Sequence, residues 1–250
     1  MNTHPGMLRP EGLVDPDQET LFAQHVYGFE NGDVRSRPFK ILRSQVYKRC
    51  RDSGAKLIGV TSPAPQAGKS FVAANLAAAL SRLSDVRVWL VDLDLFRPAQ
   101  ATRFSVPEGP GIHDYLAGRT TDLMEVARNI HDERLTLLPG FKRRIATGEL
   151  LTGPQGDALF ARLRALPPST IVLIDMPPIF ADDDALILGQ RIDGYLLVVE
   201  DGKTTARQVR ETANVLQPTP LFGTVLNRYR DQLFSEDYGY GMSYGYGAYY

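Results

Sequence analysis

Gly68-Lys69-Ser70 closes a turn, Ser62-Pro63-Ala64-Pro65-Gln66-Ala67-Gly68-Lys69-Ser70, between an apolar run (Leu57-Ile58-Gly59-Val60) and the helical pattern Phe71-Val72-Ala73-Ala74-Asn75-Leu76-Ala77-Ala78-Ala79-Leu80. A turn of this kind between a strand and a helix suits a phosphate group. Successive backbone N–H groups and the positive helix end, equivalent to roughly half a charge, face the anion. Lys69 can reach the β- and γ-phosphates of a nucleotide, and the Ser70 hydroxyl can ligate Mg²⁺. The general pattern places glycine where Pro63 stands, so the strand before and the helix after carry the assignment. The plain alternative is a strand-turn-helix corner with a chance Gly-Lys-Ser.

Two further segments end in acids. Val88-Trp89-Leu90-Val91-Asp92-Leu93-Asp94 is an apolar strand closing on two carboxylates, and Ile171-Val172-Leu173-Ile174-Asp175-Met176-Pro177-Pro178 closes on one. Ligands of open α/β sheets sit beyond the carboxyl ends of the strands, so these acids and the phosphate loop are expected on one rim. Magnesium takes oxygen ligands and keeps several waters, so one or two carboxylates plus phosphate oxygens suffice. Asp175 fits a metal-supporting role, and Asp92 or Asp94 could hold the metal and accept a hydroxyl proton. A single strand-ending Asp would read as a turn cap; three beside Gly-Lys-Ser read as a set. Asp182, Asp183 and Asp184 read as a helix cap and solvated first turn.

The elements that must position these groups follow from periodicity. Strands are expected at 57–61, 87–92, 134–138, 170–175, 194–199 and 221–226. Helices are expected from Pro38 to about Asp52 and at 69–83, 112–129 (broken near Gly118), 149–166, 182–190 and 204–216. Strands such as Tyr195-Leu196-Leu197-Val198-Val199 lack alternation, as expected of a parallel sheet covered on both faces. One α/β domain over residues 35–228 follows, with residues 1–34 as a flexible N-terminal arm and 229–250 as a mobile tail. Apolar residues make up 43% of the 250-residue chain, ample for a core, and a formal charge of −1 offers no field for nucleic acid. Cys50 is the lone cysteine, which excludes an internal disulfide and suits a reducing compartment. With neither a secretory pattern nor an apolar run of ~20 residues, a soluble cytoplasmic protein is expected.

The last fourteen residues hold Tyr238, Tyr240, Tyr244, Tyr246, Tyr249 and Tyr250, six of the chain's eleven tyrosines, spaced by glycines. Such a segment suits phosphate acceptors delivered to a neighbouring molecule's site; a self-associating low-complexity tail is the alternative.

Together these segments resemble the bacterial protein-tyrosine kinase family, cytoplasmic autokinases of capsule and exopolysaccharide systems, over about residues 35–250. The resemblance rests on the Pro-x-Pro-x-x-Gly-Lys-Ser form of the loop and on Leu90-Val91-Asp92-Leu93-Asp94-Leu95-Phe96-Arg97-Pro98. Ile174-Asp175-Met176-Pro177-Pro178 and the tyrosine cluster complete it, with support from Gly111-Ile112-His113-Asp114-Tyr115-Leu116-Ala117-Gly118 and Glu149-Leu150-Leu151. It implies a P-loop NTPase fold, with a mostly parallel central sheet covered by helices on both faces, and the cofactors ATP and Mg²⁺. It implies ATP contacts at Pro65, Gln66, Ala67, Gly68, Lys69, Ser70 and Phe71, and catalytic roles for Lys69, Asp92 and Asp94. Ser70 and Asp92 would approach the metal, Asp94 and Asp175 would support it through water, and Asp92 is the favoured base. Asn227 is similar to an asparagine that contacts adenine in related ATPases, or is a turn-forming residue at a strand end.

The family also implies partners: a separate membrane chain-length regulator that activates and recruits the kinase to the inner membrane face, a second copy for phosphorylation in trans, and a cognate tyrosine phosphatase. One departure bears on self-association. The family's Glu-x-x-Arg-x-x-Arg pattern is matched here by Arg37, Lys40 and Arg43, with a base in place of the acid. The rival functions are a partitioning or positioning ATPase, whose loop usually opens with a lysine absent here, and a non-enzymatic nucleotide-binding scaffold.

Overall fold

The computed structural model describes residues 12–132, 134–143, 147–181 and 183–229. Eight strands, β1 (Gly12–Val14), β2 (Leu57–Thr61), β3 (Arg87–Asp92), β4 (Arg128–Ile130), β5 (Leu135–Leu138), β6 (Thr170–Asp175), β7 (Gly194–Glu200) and β8 (Leu221–Asn227), form one sheet. Their order is β1-β4-β5-β3-β6-β2-β7-β8, and every neighbouring pair is parallel except β4–β5. The six expected strands are present within a residue or so; β1 and β4, three residues each, carry too little apolar signal to be read from sequence.

Burial explains the missing alternation. On β3, Trp89 and Val91 pack into one core while Val88 and Leu90 pack into the other, and β6 and β7 divide their side chains the same way. Helices α1 (Gln18–Ala23), α2 (Arg37–Ser53) and α3 (Lys69–Ser81) cover one face, joined by the short α4 (Gln100–Arg103). The other face is covered by α5 (Ile112–Leu116), α6 (Leu123–Val126), α7 (Thr147–Thr152), α8 (Pro154–Ala165), α9 (Asp184–Gly189) and α10 (Ala206–Val215).

Two long helical expectations resolve into pieces. The pattern over 112–129 becomes α5, α6 and β4: Gly118 turns at φ +71°, and Asp122 caps α6 by accepting from the Met124 N–H at 2.9 Å. The pattern over 149–166 divides at Gly153, because Pro154 fits only the first turn of a new helix. Asp183 stands at the N-cap of α9 without a side-chain cap bond, and Asp184 is buried against the core rather than solvated as expected; Asp182 lies outside the described residues.

Residues 12–34 differ from the expected flexible arm. They lay β1 along β4 and run as a strap over α3, with Leu21, Val26 and Tyr27 buried. Side chains from three helices grip the strap's carbonyls. Arg103 Nη1 donates to Gln24 O at 3.1 Å, Asn75 Nδ2 to His25 O at 2.9 Å, Arg82 to Phe29 O, and Lys40 to Asn31 O. Asn75 Oδ1 also accepts from the Tyr27 and Gly28 N–H groups at 2.6 and 3.1 Å. Gly28 is required there: a Cβ would lie 2.2 Å from Asn75 O. The arm is structured because one polar residue on an otherwise apolar helix face satisfies three strap backbone groups. Among the described residues no helix is long and apolar enough to cross a membrane.

Candidate functional site

The corner between β2 and α3 spends its carbonyls on the protein. Ser62 O accepts from Ile179 N at 2.9 Å, Pro63 O from Phe180 N at 3.3 Å, and Ala64 O from Ser62 Oγ at 2.8 Å. Ala67 O accepts from Asn227 Nδ2 at 2.8 Å, and Gly68 O from Val72 N at 3.0 Å. With carbonyls held outward and no side chain capping the first turn of α3, its leading N–H groups converge on the loop's mouth, where an anion is stabilised. Gln66 and Gly68 adopt left-handed φ of +67° and +95°. At Gly68 a Cβ would lie 2.0 Å from Asn227 Nδ2, so glycine is demanded twice, by backbone and by space. Pro65 and Gln66 are exposed and Ala67 is buried.

Beside this mouth stand the three acids. β3 and β6 are neighbours with Asp92 opposite Asp175 in register, which places both at one sheet edge. Lys69 Nζ, itself buried, lies 2.6 Å from Asp94 Oδ2, 3.1 Å from Asp175 Oδ1 and 3.0 Å from Ser70 Oγ. Burial works against the Lys69 charge, but Asp175 and Asp94 more than offset it and the ammonium's pKa is raised. Asp92 Oδ2 accepts from the Ala99 and Gln100 N–H groups at 2.9 Å each, while Oδ1 is buried with no partner. Burial first, and then the Asp175 charge, raise the Asp92 pKa well above the usual carboxylate range; the two backbone donors and Lys69 oppose this without reversing it.

The structure therefore brings Lys69, Ser70, Asp92, Asp94 and Asp175 together. Asn227 reaches the same place from β8, where its amide N–H fastens the loop, a role distinct from both expectations. Phe71 departs from its expected position at the phosphate mouth: its ring packs against Tyr27 and Phe39, with centroids 6.4 and 5.5 Å away, and under Arg103. Only its backbone N–H can serve an anion. Gln100 was missed by sequence reasoning. Its Nε2 donates to Asp175 Oδ2 at 2.8 Å and to Ser70 O at 3.1 Å, tying the end of β6 to the phosphate loop. Nothing in the segment following Pro98 marks it. Tyr238, Tyr240, Tyr244, Tyr246, Tyr249 and Tyr250 lie outside the described residues. Of the altered basic pattern, Lys40 holds the strap and Arg43 Nη1 donates to Ala79 O at 3.3 Å; Arg37 opens α2, exposed.

The family model for the CobQ/CobB/MinD/ParA nucleotide binding domain matches residues 58–238, from β2 through the last strand. The chain belongs to this nucleotide-binding family. EpsB of Ralstonia nicotianae is 35% identical over 85% of the chain, and the chain spans 28% of EpsB's length. The tyrosine-protein kinase YwqD of Bacillus subtilis is 29% identical over 84% of the chain and 88% of its own length. The kinase domain of the Escherichia coli tyrosine kinase ETK superposes with a TM-score of 0.73 at 27% identity, covering 84% of this chain and 81% of that domain. The expected resemblance to bacterial protein-tyrosine kinases and the expected parallel P-loop fold are both borne out.

Proposed function

We propose that this chain is an ATP- and Mg²⁺-dependent protein-tyrosine autokinase that phosphorylates its own C-terminal tyrosine cluster, mainly between molecules. The observation that carries the reading is Lys69, buried and charged, held between Asp94 and Asp175 at the mouth of an uncapped helix. A triphosphate offers that ammonium the oxygens it now finds on carboxylates, and the α3 N–H groups add to the attraction.

Magnesium fits the donors present. Among the described residues no group of three or more His, Cys, Asp or Glu side chains forms a cage, so an ion here would take Ser70 Oγ, Asp92 and, through water, Asp94 and Asp175, with phosphate oxygens completing its shell. Asp92 Oδ1, buried and unpartnered, is the atom such an ion would satisfy. The metal supplies charge neutralisation on the triphosphate. Asp92 accepts the acceptor phenol's proton as the tyrosyl oxygen bonds to the γ-phosphorus and ADP leaves. Gln100 orients Asp175 and the Ser70 backbone. Asn227 Oδ1, which leaves the Ala67 bond to the amide N–H, would accept from an adenine amino group in this reading. A place in exopolysaccharide or capsule synthesis, recruitment to the membrane by a chain-length regulator and reversal by a phosphatase accompany this reading by analogy with the family.

Mass spectrometry after incubation with ATP and Mg²⁺ tests it. Phosphate on residues 238–250 that is lost in both Lys69→Met and Asp92→Asn supports the kinase; ATP turnover with unmodified tyrosines supports the partitioning-type ATPase that the MinD/ParA family name allows.

A further inference from the structure

Two aromatic side chains on turns leaving neighbouring strands stand largely in solvent. Phe96 is 72% exposed, more than any other large apolar residue described, and Phe180 is 48% exposed. Each sits on a turn that is held rigidly from beneath. In the first, Leu95 is buried, its carbonyl lies 3.2 Å from His113 Nε2, and Asp94 Oδ1 accepts from the Arg97 N–H at 3.0 Å. In the second, Ile179 is buried, and the Ile179 and Phe180 N–H groups donate to Ser62 O and Pro63 O of the phosphate loop. The buried side chains of these turns are Leu95 and Ile179, so the turns do not depend on a ring at 96 or 180 for their anchoring. A rigid turn that holds a ring in water, where it loses hydrophobic stabilisation, is a presentation device.

The turns leave adjacent strands. Phe96 follows by two residues the Asp94 that pairs with Lys69, and Phe180 follows by five the Asp175 that pairs with it. Arg97, exposed, lies beside the Phe96 ring, its guanidinium carbon 5.8 Å from the centroid. The rim thus offers two aromatic faces and one cation next to the charged cluster. The C-terminal sequence Glu236-Asp237-Tyr238-Gly239-Tyr240 offers two acids, then phenol rings spaced by glycine. Its 21 residues beyond Tyr229 reach up to ~70 Å, ample for another copy's rim.

We infer that Phe96 and Phe180, with Arg97, form the docking site for the acceptor tyrosine segment, residues 236–250 of a second copy, and set the preference for acidic, glycine-spaced tyrosines. The inference rests on the kinase reading. Tyrosine rings stack on the two phenylalanines in offset or edge-on geometry, and Arg97 meets Glu236 and Asp237. Glycine spacing lets the segment bend until one hydroxyl enters while a neighbouring ring stays on the rim.

The experiment uses the full chain as enzyme and a synthetic peptide of residues 235–250 as acceptor, and follows peptide phosphorylation by mass. Two lost ring contacts correspond to a rise on the order of tenfold in the peptide KM for Phe96→Ser/Phe180→Ser, with the KM for ATP within about twofold of wild type. Phe96→Tyr/Phe180→Tyr should restore the wild-type peptide KM, and Arg97→Ala should weaken the peptide but not a version with Glu236 and Asp237 replaced by serine. An unchanged peptide KM in the serine variant overturns the docking site. Equal rises in both KM values assign the rings to the nucleotide site and overturn it too, as does a change confined to oligomeric state. No peptide phosphorylation by the wild-type enzyme would instead overturn the kinase reading beneath it.

Discussion

Replacing Lys69 by methionine removes the buried ammonium that pairs with Asp94 and Asp175, and its consequence for stability follows from the geometry. Asp92, Asp94 and Asp175 are all buried, and the ammonium contacts two of them at 2.6 and 3.1 Å. Breaking a buried ion pair by deleting one partner costs about 3–5 kcal/mol, because the remaining charge stays out of water. The site has an escape: Asp92, whose proton affinity is already raised, can take up a proton. In Lys69→Met the ammonium that opposes the raised Asp92 proton affinity is gone, so the stability tied to protonated Asp92 is present below the unfolded value near ~3.9 and lost as pH rises through the raised folded value. The penalty should therefore be small near pH 4 and full, roughly 3 kcal/mol or about 10 °C in Tm, at pH 8. Urea unfolding of the wild type and Lys69→Met at several pH values measures it. Asp92→Asn provides the internal control: it removes a carboxylate whose pKa is already raised, and should leave stability at pH 8 equal or higher. Equal stability of Lys69→Met and wild type at pH 8 would refute the claim that Lys69 offsets buried carboxylate charge.

Other outcomes follow from the same coordinates. Gly68→Ala should reduce nucleotide affinity at least tenfold by calorimetry, since its Cβ meets Asn227 Nδ2 at 2.0 Å and φ is +95°. Asn75→Ala leaves the Tyr27 and Gly28 N–H groups and His25 O without the amide; a loss of about 2–4 kcal/mol in denaturant unfolding, with earlier proteolysis near residues 25–30, is expected. Burial raises the Cys50 thiol from 9.0 to about 11, with a smaller contribution from Asp193. Its protonated form is favoured in the fold, so this stability is complete below pH 9 and lost between pH 9 and 11. Roughly 2–3 kcal/mol should go in that window, and Cys50→Ala should flatten the loss.

The phosphate loop, the three acids and the six longer strands were legible in the sequence because each depends on local chemistry. Gly-Lys-Ser needs only a strand before and a helix after, and a strand buried on both faces is recognisable as a continuous apolar run. The arm over residues 12–34 was misread because its order comes from partners elsewhere in the chain, Asn75, Arg82 and Arg103, that no window around it contains. The helix expected over 112–129 failed where Gly118 and Asp122 broke it, since apolar spacing alone does not distinguish one helix from two short ones and an edge strand.

By itself, then, the amino-acid order determined which groups could meet a nucleotide, since the types Lys, Ser and Asp at strand ends state their chemistry without coordinates. Only the tertiary structure decided how those groups share charge. The register of β3 on β6 sets Asp92 against Asp175, Gln100 links acid to loop, and Asn227 arrives from β8 to pin Ala67. Those pairings span 30 to 160 positions along the chain, and proton affinity depends on distance through a low-dielectric interior rather than on separation in sequence.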